Sequence, residues 1–221
     1  MVTLSHKWRT LTIIQTYGSL KVRKNNTYSS YMDNFLTIIY GSRQSVFTSL
    51  EIAILIGEKN VNKLKSKLAY YVKTGKLIRL RRGIFAKNQE YEKKELAVRI
   101  FTPAYVSFET VLTKEGVIFQ YPESIFIASY LSRNLKIKDD RYVYRKLKNE
   151  ILVNQKGLAN KGTYFEASKE RAFLDMLYLF GEYYFDNLRS IDWDLCFEIV
   201  DIYKSGALEK KLKNYQKKYA E

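Results

Sequence analysis

The run from Val46 to Lys87 constrains the fold more than any other part of the chain. Thr48 followed three residues later by Glu51 is a capping box, in which each side chain takes an orphan amide at a helix start. It predicts a short helix with Leu50, Ala53, Ile54 and Ile56 buried, stopping at Gly57. Asn60 is the next N-cap. From there Val61, Leu64, Leu68, Tyr71 and Val72 recur at the spacing of one helix face, and Gly75 ends the helix in a left-handed conformation. Asn62, Lys63, Lys65, Ser66, Lys67, Tyr70 and Lys73 lie off that stripe. Two apolar runs, 77–80 and 84–86, flank Arg81-Arg82-Gly83 and predict a β-hairpin with a basic tip, Gly supplying the turn conformation. With a further short helix over 31–40, this is the pattern of a winged helix-turn-helix.

The charge points the same way. Lys and Arg number 38 against 23 Asp and Glu, a formal net charge of +15. Residues 1–30 hold five basic residues and no acid, 31–88 hold eleven against three, and 89–221 hold 22 against 20. So +13 of the +15 falls in the first 88 residues. A general lysine bias would load both halves alike, whereas a nucleic-acid footprint is local. In a helix-turn-helix the second helix enters the major groove. Asn62, Lys63, Ser66 and Lys67 are therefore expected at base edges or flanking phosphates, since Asn pairs with adenine and Lys donates to guanine. Lys65, Arg79, Arg81 and Arg82 are expected on the backbone. The competing meaning of these lysines is a solvated helix face.

At 221 residues the chain has room for one large domain or two small ones. The expected class is α+β: an N-terminal winged helix-turn-helix followed by a mixed α/β C-terminal domain. Residues 1–30 form a basic N-terminal extension, 31–88 the DNA-binding domain, and 89–221 the C-terminal domain. Within the last, helices are expected over 90–101, from an N-cap at Ser107 to about Gly116, over 167–180, and over 192–203 and 207–219. Strands are expected over 125–131 and 142–144, and a turn and strand at 162–164.

Most enzyme chemistries lack their parts. Cys196 is the sole cysteine and His6 the sole histidine, which removes a disulfide framework, multi-Cys zinc sites and His-based triads. Cys196 lies on an amphipathic helix and reads as a buried small hydrophobe. No phosphate-cradling glycine loop is present. Glu92-Lys93-Lys94 contains an E-x-K, the tail of a nuclease-type metal site, and is the one support for a metal-dependent nuclease. Glu170, Arg171 and Asp175 read as a structural ion network. No catalytic residue, metal or cofactor is expected. No apolar run approaches the roughly 20 residues of a membrane span, and no secretory signal is recognisable. A soluble, cytoplasmic protein with an acidic partner is the expectation.

Several segments, in order, resemble the AbiEi family: Val46-Phe47-Thr48 before a short helix, Leu77 to Ala86 on the wing, Pro103-Ala104-Tyr105-Val106-Ser107-Phe108-Glu109-Thr110-Val111-Leu112, and Ala167 with Glu170-Arg171-Ala172-Phe173-Leu174-Asp175. The likeness runs from about residue 31 to about 180. It departs at Phe85, where Tyr is common, and does not extend to residues 1–30 or to the helices from Asp192. The resemblance implies a transcriptional regulator and antitoxin of a type IV toxin–antitoxin, or abortive-infection, system. Its winged helix would bind double-stranded DNA at inverted repeats in its own promoter. Its C-terminal domain would counter a nucleotidyltransferase-like toxin without a stable complex. A nuclease, and a winged-helix module binding an acidic protein, are the alternatives.

Overall fold

The computed structural model describes residues 26–219, with side chains from residue 34 onward. The basic extension expected at 1–30 lies outside the described residues, except that 26–30 begin the first helix. The front of the chain runs α1 (Asn26–Gly41), β1 (Val46–Thr48), α2 (Ser49–Ile56), α3 (Val61–Lys73), β2 (Ile78–Arg81) and β3 (Ile84–Ala86). The three strands form an antiparallel sheet in the order β1-β3-β2. Strand β1 was not foreseen: three residues before a capping box carry too little alternation to announce themselves.

The capping box forms as read, with Thr48 and Glu51 each taking the other's backbone amide. The buried face of α2 differs from expectation. Ile52 is fully buried and Ala53 and Ile56 pack with it, whereas Leu50 is 69% and Ile54 71% exposed. The helix is apolar nearly all round, so periodicity cannot choose its inner face. In α3 Leu64, Leu68 and Tyr71 are buried and Val72 packs beside them, while Val61, at the first turn, is exposed.

Period-two alternation gives the small sheet two buried faces. Phe47 and Phe85 sit opposite each other and point into the helices, joining Phe35, Ile39, Ile52 and the α3 stripe. The rings of Phe35 and Tyr71 stack with centroids 4.1 Å apart. Val46, Ile84 and Ala86 point the other way, into a core shared with Leu96 and Ala97 of α4 (Lys93–Ile100) and with Ile127, Tyr142 and Tyr144.

The rest of the chain runs β4 (Ala104–Val106), α5 (Glu109–Lys114), β5 (Ser124–Ser129), β6 (Arg133–Ile137), β7 (Asp140–Lys146), α6 (Asn149–Leu152), β8 (Leu158–Asn160), β9 (Phe165–Ala167), α7 (Lys169–Phe180), α8 (Trp193–Val200), a 3-10 turn (Asp201–Tyr203) and α9 (Gly206–Tyr219). Its strands form one mixed sheet in the order β6-β7-β5-β4-β9-β8. Two of its helix starts differ from the sequence reading. α4 begins only after Glu92, whose carboxylate accepts the Lys94 amide at 3.0 Å. Ser107 does not cap α5; Phe108 precedes that helix at φ 57° with no side-chain cap, and the Ser107 hydroxyl donates instead to Asp175 at 2.7 Å.

The large sheet separates two layers. Ile127, Tyr142 and Tyr144 face α4 and the small sheet, and the Tyr144 hydroxyl donates to the Ala97 carbonyl at 2.8 Å. Tyr105, Ala128 and Arg145 face the other layer, where α5, α7, α8 and α9 enclose a second core. The chain is therefore a mixed α/β fold with two sheets. Among the described residues no helix is long and apolar enough to cross a membrane.

Candidate nucleic-acid interface

The α2–α3 connection is short and tightly specified. Gly57 closes α2 in the left-handed region at φ 68°, where a Cβ would be strained. Glu58 accepts the Asn60 amide at 3.0 Å. The Asn60 side chain then accepts the amides of Asn62 and Lys63 at 2.9 and 3.1 Å, fixing the first turn of α3.

With Leu64, Leu68 and Tyr71 turned inward, helical geometry sets where each candidate points. Asn62, Ser66 and Lys73 fall opposite the core, in line along the helix. Lys63 and Tyr70 flank them on one side, with the half-buried Lys67 nearer the core, and Lys65 lies on the other side. Asn62, Lys63, Lys65 and Ser66 are all exposed. Lys73 belongs to this face and was missing from the sequence-derived set. It is three helical turns beyond Asn62, and counting along the exposed face would have found it.

The hairpin divides its arginines. β2 and β3 pair with a register shift between Arg79 and Arg81, an irregularity that turns the two side chains to opposite faces. Arg79 is exposed and stands over the Phe85 ring at 5.9 Å, on the helical side. Arg81 is half-buried and stands over the Phe101 ring at 5.7 Å, on the side of α4. Arg82 is exposed at the tip beside Gly83, whose carbonyl accepts the Ser49 amide at 2.8 Å. That bond ties the hairpin tip to the start of α2. The three arginines do not form one surface; Arg79 and Arg82 are the exposed pair.

The cations of this surface have no acidic partner among the described residues. Lys63, Lys65, Lys67, Lys73, Arg79, Arg81 and Arg82 form no ion pair with any described residue. Beyond residue 88 the cations are divided: Lys93 pairs with Asp140, Lys94 and Lys114 with Glu166, Arg141 with Glu123, and Arg145 with Glu109, while others form no ion pair with a described residue. Of the front-segment acids whose side chains are described, Glu51 is held by Arg99 and its own helix cap, and Glu58 by Asn60. Leu50, Ile54 and Val61 leave exposed apolar side chains on α2 and at the start of α3.

The other chemical candidates have structural partners. Glu92 caps α4, and Lys94 pairs with Glu166 at 2.7 Å, so the two ends of the E-x-K do different work. Burial alone would raise the Glu166 carboxyl, but hydrogen bonds from Lys114 and Lys94 outweigh it and hold it below its ordinary range. No group of His, Cys, Asp or Glu placed to hold a metal ion occurs among the described residues. Cys196 is fully buried, and burial pushes its thiol well up, away from the reactive thiolate. Arg171 and Asp175 form the fully buried core of an ionic network, while Glu170, expected within it, faces Lys169 and the Asp192 amide instead.

The described residues thus define a mixed α/β chain with two sheets and an unpaired cationic helix and hairpin at its front. No family model and no curated protein matches the chain. Among solved structures it is similar to the crystal structure of the RV2827C protein from Mycobacterium tuberculosis, with a TM-score of 0.44 and 11% sequence identity over 83% of this chain and 80% of that one. A likeness of that size carries no inference about this chain.

Proposed function

We propose that the chain is a DNA-binding transcriptional regulator whose front segment works as a winged helix-turn-helix. The observation that carries this reading is the set of exposed cations gathered on α3 and the hairpin, which form no ion pair with a described residue. Cations left unpaired by the protein are available to phosphate oxygens, and neutralising phosphates releases condensed counterions. Asn62, Lys63 and Ser66 present base-reading groups at the exposed start of α3, and Lys65, Lys67, Lys73, Arg79 and Arg82 flank them as phosphate contacts. Arg81, against Phe101, acts chiefly by holding the hairpin.

The AbiEi resemblance extends the proposal. The DNA is then inverted repeats in the chain's own promoter, the outcome is autorepression, and the protein serves as a cytoplasmic antitoxin against a nucleotidyltransferase-like toxin. It acts by binding rather than by catalysing a reaction. A nucleotidyltransferase-type reading frame immediately downstream would support the antitoxin half.

Gel shift with the DNA upstream of the gene tests the binding half. The expected affinity falls steeply with salt, with a logarithmic slope of about −0.9 per phosphate contact. Replacing Lys65, Arg79 and Arg82 by Gln should reduce that slope by about 2 to 3. Absence of any shift at low salt, or a slope unchanged by the triple substitution, would sink the reading.

A further inference from the structure

The closing helix α9 carries a feature the front segment does not explain. Its sequence, GALEKKLKNYQKKY, holds five lysines and one acid, Glu209. Leu208 and Leu212 are buried, and Tyr215 and Tyr219 pack with them against the rear core. That phase puts Lys210, Lys213 and Lys217 directly opposite the core, all exposed, with Asn214 alongside. None of the five lysines forms an ion pair with a described residue. The last turn adds Lys218, which lies over the Tyr219 ring at 5.0 Å.

We propose that α9 is a second phosphate-binding ridge, and that through it one chain holds a second nucleic-acid segment while α3 and the hairpin hold the first. Three considerations select a nucleic-acid backbone as the occupant. Lys210, Lys213 and Lys217 span about 10 Å of helix, against a duplex carrying one charge per about 1.7 Å of its axis. A membrane-surface helix needs its apolar face free to enter the headgroup boundary, and the apolar face of α9 is consumed by the core. A protein partner is anchored by aromatic or arginine side chains at an interface centre from which lysine is depleted, and the outward face of α9 offers only lysine and asparagine.

The position of α9 sets the stoichiometry. It packs on α7 and α8, in the layer reached by Tyr105 and Ala128. The small sheet packs against Ile127 and Tyr142 on the opposite face of the large sheet. The two cationic surfaces are separated by that sheet, so one short straight duplex does not reach both. The ridge rests on residues outside the winged-helix reading and stands or falls apart from it.

Sedimentation of the full-length chain with a labelled duplex of about 20 base pairs, two helical turns, counts the duplexes bound per chain at low salt. Two per chain are expected for the unmodified protein. Lys210→Gln with Lys213→Gln and Lys217→Gln should give one, and Lys65→Gln with Arg79→Gln and Arg82→Gln should also give one. The six substitutions together should give none. These side chains are exposed and unpaired, so circular dichroism and thermal unfolding should match the unmodified chain. Two duplexes retained by the ridge variant, or one bound by the unmodified chain and lost only with the front substitutions, overturns the ridge. Two retained by the front variant and one by the ridge variant refutes the front surface and upholds the ridge. A ridge variant that keeps its second duplex but loses binding to vesicles rich in anionic lipid would reassign α9 to a membrane surface.

Discussion

Asp175→Ala should destabilise the chain by about 3–5 kcal/mol, the range for removing one partner of a buried ion pair. Asp175 and Arg171 are both fully buried, with Arg171 Nε 3.5 Å from Asp175 Oδ1. The carboxylate also accepts hydroxyls from Tyr203 at 2.6 Å, Ser107 at 2.7 Å and Tyr105 at 3.0 Å. Arg171 in turn donates to the carbonyls of Ile151 and Lys156, each at 2.7 Å. The network therefore joins α7 to β4, to α6 and to the 3-10 turn. Truncation leaves a guanidinium without a counter-charge and takes from three buried hydroxyls the carboxylate that accepts them; only Tyr203 keeps a second acceptor, the Arg171 carbonyl at 3.4 Å. Set against a total stability of about 5–15 kcal/mol, the loss is a large fraction. Tyr203→Phe removes one donor of three and should cost about 1–2 kcal/mol. Urea unfolding of both variants, with the slope checked for constancy, measures the difference. A cost for Asp175→Ala no larger than that for Tyr203→Phe would mean that the network contributes little.

Glu95→Ala should cost about 3 kcal/mol, again as a broken buried pair. Glu95 is 1% exposed, so its carboxylate depends on the protein groups it binds. One oxygen accepts the Ser45 amide at 2.9 Å and the Ser45 hydroxyl at 2.6 Å. The other accepts two nitrogens of Arg99 at 3.2 and 3.0 Å, and Arg99 continues to Glu51 in the capping box of α2. The chain of contacts runs from α4 to the loop before β1 and to the start of α2. Arg99 keeps Glu51 in the variant, which places the cost at the lower end of the range. Glu95→Gln retains the volume and one acceptor, and should cost about 1–2 kcal/mol. Equal unfolding midpoints for Glu95→Ala and the unmodified chain would show that the junction does not depend on this carboxylate.

The sequence is most legible where one residue type has one mechanical job. Thr48 with Glu51, Asn60, and Gly83 in the hairpin turn behave as their chemistry dictates, because capping and left-handed turns are decided within a few residues. The α3 face was also legible, since its polar and apolar sides contrast strongly. What failed depended on distant partners. The inner face of α2 is chosen by Phe47 and Phe85, which lie across a sheet that its own sequence does not mention. Ser107 looked like a cap, but Asp175 claims its hydroxyl from 68 residues away. Edge strand β6, charged at Arg133 and Lys136, alternates only at Leu135 and Ile137, too short a pattern to reveal it. The separation of Arg79 from Arg81 follows from a single register shift, which no composition argument detects.

The small sheet has one more consequence. Because β3 is covered on both sides, a piece of the chain cut at residue 88 would expose Val46, Ile84 and Ala86 where α4 and the large sheet had been. Each of the two larger side chains forfeits about 1.5–3 kcal/mol of burial on such exposure, and the bared strip is the kind of greasy seam along which isolated fragments clump. The wall between the two halves has no outside, and neither half keeps its full strength once the other is taken away.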